Sequence, residues 1–212
     1  MKMFKKQKTL TTTSSRHYDT FDFFLIGDAS IGKTCLLNRF CNDFYSAYKK
    51  KKKKPEIFNV STSYDNQEFK LQYWDFIFNE DTMESNKKII EKSDGIIFVS
   101  SFDNKESLNR IMYWYKLLNQ YTDLNKKEIV IFVNKNDLED EIVISDDDIK
   151  KMSNELKTDY YAMSARTGKG VKKAFGTFAQ RVIAKTYNIK SKNDDLMTNE
   201  GKNNNNQNYI IW

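Results

Sequence analysis

The stretch GDASIGKT, Gly27 to Thr34, has residue types and a spacing that suit phosphate binding. It fits the pattern G-x-x-x-x-G-K-[ST], with an apolar strand before it and a helical pattern after it. In such a loop, backbone N–H groups and the helix N-terminus surround phosphate oxygens. Lys33 would reach the β and γ phosphates, and the Thr34 hydroxyl would ligate Mg²⁺. The residues predicted to line the phosphates are Asp28, Ala29, Ser30, Ile31, Gly32, Lys33, Thr34 and Cys35.

A carboxylate ends another apolar, alternating run, LQYWD, at Asp75. A strand that ends in Asp beside a phosphate loop is suited to hold Mg²⁺, which prefers oxygen ligands. Three residues later comes Phe78, and then Asn79. A nucleotide switch normally needs a small, flexible residue there, followed by a side chain that orients water. The sequence therefore raises the question of whether hydrolysis is intact.

Two polar loops follow two further apolar strands. Asn134-Lys135-Asn136-Asp137 ends the strand EIVIFVN, and Ser164-Ala165-Arg166 ends the strand DYYAM. Either loop alone is a common polar turn. Together with the phosphate loop they indicate a ligand-binding site more strongly, because ligands of open α/β sheets bind at the carboxyl ends of the strands.

Strands and helices alternate through the middle of the chain. Apolar runs predict strands at 21–27, 57–64, 68–75, 95–101, 128–134 and 159–165, the second and third forming a hairpin across residues 65–67. Helical periodicity predicts helices at 33–44, 104–121 and 145–157, with Ser145 as N-cap, and a last helix with an apolar stripe from Val171 to Val182. This order predicts an α/β fold with a mostly parallel sheet.

The composition suggests one core with polar ends. The chain has 212 residues, of which 39% are hydrophobic, and a mean hydropathy of −0.73. We expect a flexible N-terminal arm at residues 1–20, one domain at 21–187 and a disordered, Asn- and Lys-rich tail at 188–212. A net charge of +6 is too mild to indicate nucleic-acid binding by itself.

Location signals are sparse. Cys35 and Cys41 lie on different sides of one predicted helix, so we expect no disulfide and a reduced, cytoplasmic setting. No run of 18 apolar residues is present, and the N-terminus lacks the pattern of a signal peptide. Neither a myristoylation glycine nor a prenylation cysteine is seen.

With these motifs in this order, the sequence resembles the Ras-superfamily small GTPases. KLQYWD, GIIFVSSFDNKESLNRIMYW, NKNDL and SARTGKGV look most like the Rab branch, and the resemblance covers roughly residues 20–186. It implies a three-layer P-loop NTPase G domain, with helices on both faces of a six-stranded sheet. It also implies binding of GTP and GDP with Mg²⁺, and GTP hydrolysis.

The resemblance also implies roles for the residues of the polar loops. Asp137 would accept hydrogen bonds from guanine N1–H and the 2-amino group, a pair that rejects adenine. Asn134 would brace the loops, and the stem of Lys135 would lie along the base. The Ala165 N–H would meet guanine O6 in a loop shaped by Ser164 and Arg166, and Asp75 would hold Mg²⁺ through a water.

Both switch regions depart from the family pattern. The second switch of the family begins D-x-x-G, but here Phe78 stands at the glycine and Asn79 at the water-orienting glutamine. Phe does not tolerate the dihedrals of Gly, and Asn is shorter than Gln by roughly 1.5 Å. We therefore expect slow hydrolysis with Asn79 as the weak catalytic side chain. The first-switch threonine aligns with Lys52 or Glu56, depending on the alignment, whereas Thr62 belongs to the following strand.

Lys49 to Lys54 form an unbroken run of lysines in the first switch. One interpretation is a solvated insertion. The alternative is contact with an acidic partner or an anionic membrane, worth about 1 kcal/mol per lysine. Nucleic acid is a weaker third interpretation, because no interleaved aromatic residues accompany the lysines.

Two hypotheses of different classes follow. The first is a monomeric Rab-like GTPase that hydrolyses GTP slowly and meets effector, exchange-factor or activating proteins, in the cytoplasm or peripherally on an endomembrane. The second is a pseudo-GTPase, a scaffold that binds partners without hydrolysis or switching. A P-loop ATPase or kinase is a third class, against which the NKND and SAR loops argue.

Overall fold

Strands and helices alternate along the chain in the computed structural model, which describes residues 19–47, 55–76 and 80–197. The strands are β1 (Asp19–Ile26), β2 (Glu56–Tyr64), β3 (Gln67–Asp75), β4 (Gly95–Ser101), β5 (Glu128–Asn134) and β6 (Tyr160–Ala162). The helices are α1 (Lys33–Asn42), α2 (Glu80–Lys92), α3 (Lys105–Leu118), α4 (Asp146–Leu156) and α5 (Val171–Met197).

The strands form one six-stranded sheet in the order β2-β3-β1-β4-β5-β6. Only the β2–β3 pair is antiparallel, and the other four pairings are parallel. The predicted mostly parallel, six-stranded α/β fold is therefore confirmed. Because β1, β3, β4, β5 and β6 run in one direction, their carboxyl ends lie along the same edge.

Helices cover both faces of the sheet. Along β1, Phe23 and Leu25 point to a core shared with α1 and α5, whereas Phe24 and Ile26 point to a core shared with α2, α3 and α4. All four side chains are fully buried. A central strand covered on both faces explains why this segment reads as a continuous apolar run rather than an alternating one.

Aromatic rings fill the core between the sheet and α5. Phe175 is fully buried and stacks on Phe40 of α1, with ring centroids 4.4 Å apart. Its ring also meets Phe132 of β5 at 4.9 Å and Tyr73 of β3 at 5.4 Å, both edge-on. Phe175 thus joins the last helix, the first helix and two strands in one packing unit, the kind of arrangement aromatic pairs prefer.

Three elements differ from the sequence prediction. Helix α2 was not predicted, because its sequence EDTMESNKKIIEK is mostly polar and shows an apolar pair only at Ile89 and Ile90. Strand β6 covers only Tyr160–Ala162 of the predicted residues 159–165. Helix α5 continues to Met197, ten residues past the predicted domain boundary, through a segment that contains neither Gly nor Pro to end it.

The sequence predicted the turn residues and the helix cap more accurately than the bounds of these three elements. Asp65 and Asn66 form the two-residue turn of the β2–β3 hairpin, with φ of 49° and 59°, and Gln67 already belongs to β3. Positive φ at both positions is what a tight hairpin turn requires. Ser145 caps α4 as predicted, in a reciprocal pair with Asp148. Among the described residues, no helix is long and apolar enough to cross a membrane.

The packing around Phe175 yields a stability prediction. Phe175→Ala should lower the free energy of unfolding by about 3–5 kcal/mol, because it leaves a cavity among three aromatic rings. Phe44→Ala is the control, since that side chain is 57% exposed, and its effect should stay within about 0.5 kcal/mol. Urea unfolding of both variants measures the difference. Equal losses would contradict the assignment of Phe175 to the core.

Candidate nucleotide-binding site

Those predicted site residues that the structure describes come together at the carboxyl edge of the sheet. The loop Gly27–Gly32 leaves β1, Lys135 follows β5, and Met163 to Arg166 follow β6. Asp75 ends β3 at a position in register with Leu25 of β1. Three motifs that are distant in sequence thus surround one end of the central strands, as the strand order predicts.

Close contacts at two glycines shape the phosphate loop. A Cβ at Gly27 would lie 2.2 Å from the backbone oxygen of Val99 on β4, so only glycine fits there. Gly32 is the N-cap of α1 with φ of 97°. Ser30, at the exposed tip beside Ala29, adopts φ of 66°, a left-handed conformation that costs a non-glycine residue roughly 1 kcal/mol.

The Lys33 side chain folds back over the loop. Its ammonium group donates hydrogen bonds to the backbone oxygens of Gly27 and Asp28, each at 2.6 Å. This places a positive charge across the loop, where backbone N–H groups are expected to face bound phosphate. Cys35, two residues further along α1, directs its sulfur toward the backbone oxygen of Ser46, 3.5 Å away.

Asn134 links the phosphate loop to the loop after β6. Its side chain is buried and donates to the backbone oxygen of Ile31 at 2.9 Å, while its amide oxygen accepts from the Ala165 N–H at 3.0 Å. A Cβ at Gly32 would lie 2.3 Å from the Asn134 amide nitrogen. Asn134 thus connects the two loops by its side chain, and its role toward a bound base stays a prediction. A guanine O6 would have to share the Ala165 N–H with Asn134.

Asp28 is anchored to helix α3. Its carboxylate accepts a hydrogen bond from the Trp114 indole N–H at 3.1 Å and pairs with Arg110 at 3.3 Å. The guanidinium of Arg110 lies over the Trp114 and Tyr113 rings, 5.4 and 5.5 Å from their centroids. The first side chain of the phosphate loop thus points away from the loop interior, and α3 fixes its direction.

Both ionisable residues of the NKND loop contact an oppositely charged side chain. Asp137 is largely buried and lies 3.8 Å from Arg166 of the neighbouring loop. Lys135 adopts φ of 68° and donates to the Asp103 carboxylate at 2.7 Å. Burial raises the pKa of Asp103, but the hydrogen bonds and charge of Lys135, with a contribution from Ser101, outweigh it and hold that pKa below its ordinary value.

The loop after β6 is held by its own hydrogen bonds. Ser164 is fully buried, and its hydroxyl accepts from the Thr167 N–H at 3.0 Å. Its backbone bonds to Lys169 and Gly168 close the loop. The Asn136 N–H donates to the backbone oxygen of Met163, which fastens the NKND loop directly to this one.

The two predicted metal ligands occupy the phosphate end of the site. Asp75 is 2% exposed, and Thr34 lies in the first turn of α1. One carboxylate and one hydroxyl fit Mg²⁺, which usually binds few side chains and completes its shell with phosphates and water. Within the described residues, no group of three or more His, Cys, Asp or Glu side chains could hold a metal by itself.

The first-switch candidates fall in different places. Glu56 is the first residue of β2 and lies opposite Asp75 in the hairpin, whereas Thr62 is buried near the hairpin turn, opposite Phe69. Thr62 is six residues from the Asp75 end, which makes it unsuitable as a ligand. Lys52, the run Lys49–Lys54, Phe78 and Asn79 lie outside the described residues.

A cavity of about 620 Å³ lies at the opposite edge of the sheet, beside the first residues of β5. Four of the charged side chains that line it form ion pairs with one another. Arg181 contacts Glu128 at 2.7 Å and Asp159 at 2.6 Å, and Lys185 contacts Glu128 at 2.8 Å. This network ties α5 to the start of β5 and lies far from the predicted motifs.

Sequence reasoning missed three contacts of the site. For Asp103 the sequence holds a weak indication of a role at the site, because an acidic residue stands just after the buried strand β4. For Trp114 and Arg39 the sequence holds no such indication, because each lies within a helix and belongs to no phosphate-binding or base-binding motif. Arg39 nevertheless donates to the backbone oxygens of Ala165 and Arg166, at 3.0 and 2.9 Å.

Comparisons with known proteins agree with the geometry. Residues 22–184 match the model of the Ras family. The chain is 30% identical over 180 residues to the Ras-related protein RABD1 of Arabidopsis thaliana, covering 81% of this chain and 83% of that protein. It is 29% identical over 162 residues to the Ras-related protein RIC1 of Oryza sativa subsp. japonica, with coverage of 76% and 80%. It is 28% identical over 178 residues to the human Ras-related protein Rab-15, covering 80% of each.

The Asp103–Lys135 pair predicts a pH dependence of stability. Because the folded environment lowers the Asp103 pKa below 3.8, the charged carboxylate stabilises the fold above that pH. The stabilisation is lost as pH falls through the lowered value. Asp103→Asn should therefore reduce the free energy of unfolding at pH 7 by about 0.5–1 kcal/mol, the range for a partly exposed pair.

Urea unfolding between pH 3 and pH 7 measures this dependence. The difference between wild type and Asp103→Asn should shrink below pH 3.8. Glu139→Gln, which removes an exposed acid from the loop before α4, is the matched control for charge and should differ little from wild type at either pH. A deficit of Asp103→Asn that is the same at both ends of the range would exclude the ion pair as its cause.

Proposed function

The chain belongs to the Ras family of small GTPases, in its Rab branch, and on that premise we propose that it binds GTP and GDP with Mg²⁺ and hydrolyses GTP slowly. One observation carries the proposal. The buried Asn134 amide joins the phosphate loop at Ile31 to the loop after β6 at Ala165. This contact fixes the proposed phosphate-binding loop and the proposed base-binding loop to each other at one edge of the sheet, which supports binding of one nucleotide across both.

The phosphate end is proposed to use the backbone of residues 28–35 together with Lys33. The ammonium already lies across the loop mouth, where incoming phosphate oxygens would meet it. Thr34 and Asp75 would hold Mg²⁺, the latter through a water. When bound, the metal would offset negative charge on the phosphates.

The base end is proposed to select guanine. Asp137 offers two carboxylate oxygens to the N1–H and 2-amino groups, with Arg166 nearby to shape the loop. The ion pair with Asp103 holds the Lys135 ammonium, and we propose that the aliphatic stem of Lys135 lies along the base. An adenine would present no matching donors to Asp137.

Slow hydrolysis is proposed from the sequence of the second switch. Phe78 and Asn79 replace the glycine and glutamine of the family pattern. The last described residue before them supports this, because Phe76 is buried and its ring lies parallel to those of Phe24 and Trp74, with centroids 5.3 and 5.5 Å away. A chain anchored in the core at this point has less freedom to respond to the γ-phosphate.

Partners and location are proposed from the relatives and from charge. Small GTPases of this branch act through effector and regulatory proteins, and relatives named for Rab suggest a role in vesicle trafficking or signalling. We place the protein in the cytoplasm as a monomer, with peripheral contact to an anionic endomembrane through Lys49–Lys54. Nucleic acid is not an expected partner.

Nucleotide analysis tests the proposal directly. The purified protein is denatured to identify any co-purified nucleotide, and fresh protein is titrated with fluorescent GDP and GTP, with and without Mg²⁺. Binding of both nucleotides with measurable GTP turnover supports the slow GTPase. Binding without turnover supports the pseudo-GTPase instead. Failure to bind any guanine nucleotide would overturn both the proposed hydrolysis and the assignment of the base-recognition residues.

Asp137→Ala tests the base assignment. Loss of two charge-assisted hydrogen bonds should weaken GDP binding on the order of 100-fold and leave the weak binding of ADP nearly unchanged. Asp140→Ala is the matched control, because it removes an exposed acid three residues away in the same loop. Titration with the fluorescent diphosphates measures both. Unchanged GDP affinity in Asp137→Ala would assign base recognition to another residue.

Restoring the family residues tests the hydrolysis proposal. The double variant Phe78→Gly, Asn79→Gln should hydrolyse bound GTP faster than wild type, on the order of tenfold or more, because it restores a water-orienting side chain and a flexible switch. Single-turnover release of phosphate is the measurement, and Asn79→Gln alone separates the two substitutions. A rate no higher than that of wild type would show that these residues do not limit hydrolysis.

A further inference from the structure

The guanidinium of Arg39 forms hydrogen bonds both to the loop after β6 and to Asp43 at the end of α1. Arg39 lies on the last turn of α1 and is 19% exposed. Its Nε donates to the backbone oxygen of Ala165 at 3.0 Å, and one terminal nitrogen donates to that of Arg166 at 2.9 Å. The other terminal nitrogen donates to the backbone oxygen and the carboxylate of Asp43, at 2.9 and 3.1 Å. The planar fork of arginine matches this set, whereas a lysine could not reach both sides.

The contacts to Ala165 and Arg166 complete the support of the predicted base loop. The Asn134 amide oxygen accepts a hydrogen bond from the Ala165 N–H, and Arg39 donates one to the Ala165 carbonyl. Both backbone groups of Ala165 are therefore held in place. A small shift of its N–H would misalign it with a guanine O6. The Cδ of Arg39 also lies 3.5 Å from where a Cβ of Gly168 would be, so the side chain packs along the outside of the loop.

Asp43 determines where the Arg39 fork points. It is the C-cap of α1, with φ of 49°, and its N–H bonds back to the Asn38 carbonyl. From here the chain leaves the helix toward the first switch. Lys172 on the first turn of α5 lies 3.9 Å from the same carboxylate, a longer and more exposed pair. The guanidinium is thus oriented at one end by Asp43 and bonded at the other to the base loop.

From this geometry we infer that Arg39 is a positioning residue for guanine, acting through Ala165 without touching the nucleotide. The inference rests on the proposed nucleotide binding. It adds a dependence of guanine affinity on the end of α1, which no phosphate or base motif of the sequence contains. It also identifies Asp43 as the group that orients Arg39.

Release of GDP tests the inference. Arg39→Lys and Arg39→Gln should speed the dissociation of fluorescent GDP about fivefold and about tenfold, because hydrogen bonds to the loop carbonyls are lost. Asp43→Asn, which tolerates the left-handed conformation, should speed it about threefold. Lys172→Gln is the matched control, since it removes a positive charge from the same junction and leaves the base loop untouched. It should stay within about twofold of wild type.

A nucleotide without O6 separates positioning from general stability. The same rates are measured with 6-thioguanosine diphosphate, which keeps the N1–H, the 2-amino group and the phosphates but offers Ala165 a sulfur, a weak hydrogen-bond acceptor, in place of O6. The Arg39 variants should then differ from wild type by less than about twofold. Equal acceleration with both nucleotides would reduce Arg39 to a structural role and overturn the inference.

The outcomes distinguish this inference from the proposed function. If the wild type binds no guanine nucleotide, the proposed function fails and the inference falls with it. If wild type holds GDP while Arg39→Lys and Asp43→Asn release it at the wild-type rate, only the inference fails. Asp43→Asn keeps the test decisive if the Arg39 variants do not fold, because that variant leaves Arg39 in place.

Discussion

The two hydrogen bonds of the Asn134 amide are the contact on which the rest of the candidate site depends. Its nitrogen and oxygen each satisfy a backbone group of a different loop, at Ile31 and Ala165, and the side chain is almost completely buried. Removing a buried partner of this kind leaves polar groups without hydrogen bonds, which costs more than the bonds themselves contribute. Gly32 must stay small for the same reason, because a Cβ there would displace Asn134.

Around this contact the loops are supported from outside the motifs. Asp28 is fastened to Trp114 on α3, Lys135 to Asp103 after β4, and Ala165 to Arg39 on α1. Each support comes from a different element, so loop geometry is set by the packing of the whole domain. That packing is largely aromatic on the α1–α5 face of the sheet, where neighbouring rings contact one another at centroid distances of 4.4 to 6.1 Å.

The sequence predicted the elements whose signal is local and strong. Strands β4 and β5 were predicted with their observed bounds, since continuous apolar runs between polar turns leave few alternatives. Helix α2 was missed because its polar residues outnumber the apolar ones that would mark a buried face. The convergence of three loops was predictable from the rule that parallel strands end at one edge. Ligand roles in those loops remain predictions.

The supporting contacts could not be predicted for a different physical reason. A hydrogen bond from Arg39 to Ala165 joins residues 126 apart, and neither residue type carries a signal for it. An arginine at the end of a helix is usually solvated, and only the packed structure shows which carbonyls it reaches. The left-handed conformation of Ser30 is similar, because Ser has no preference for it and the surrounding loop imposes it.

Arg39 and Ala165 are far apart in the sequence, and this separation has a consequence for folding during synthesis on the ribosome. The ribosome adds roughly 5–20 residues per second, so the phosphate loop and α1 leave it many seconds before the loop that completes the site. For a separation of 126 residues the delay is roughly 6 to 25 s. During that interval α1 has neither its α5 partner nor the carbonyls that Arg39 binds. The candidate site can therefore be complete only after nearly the whole domain has emerged.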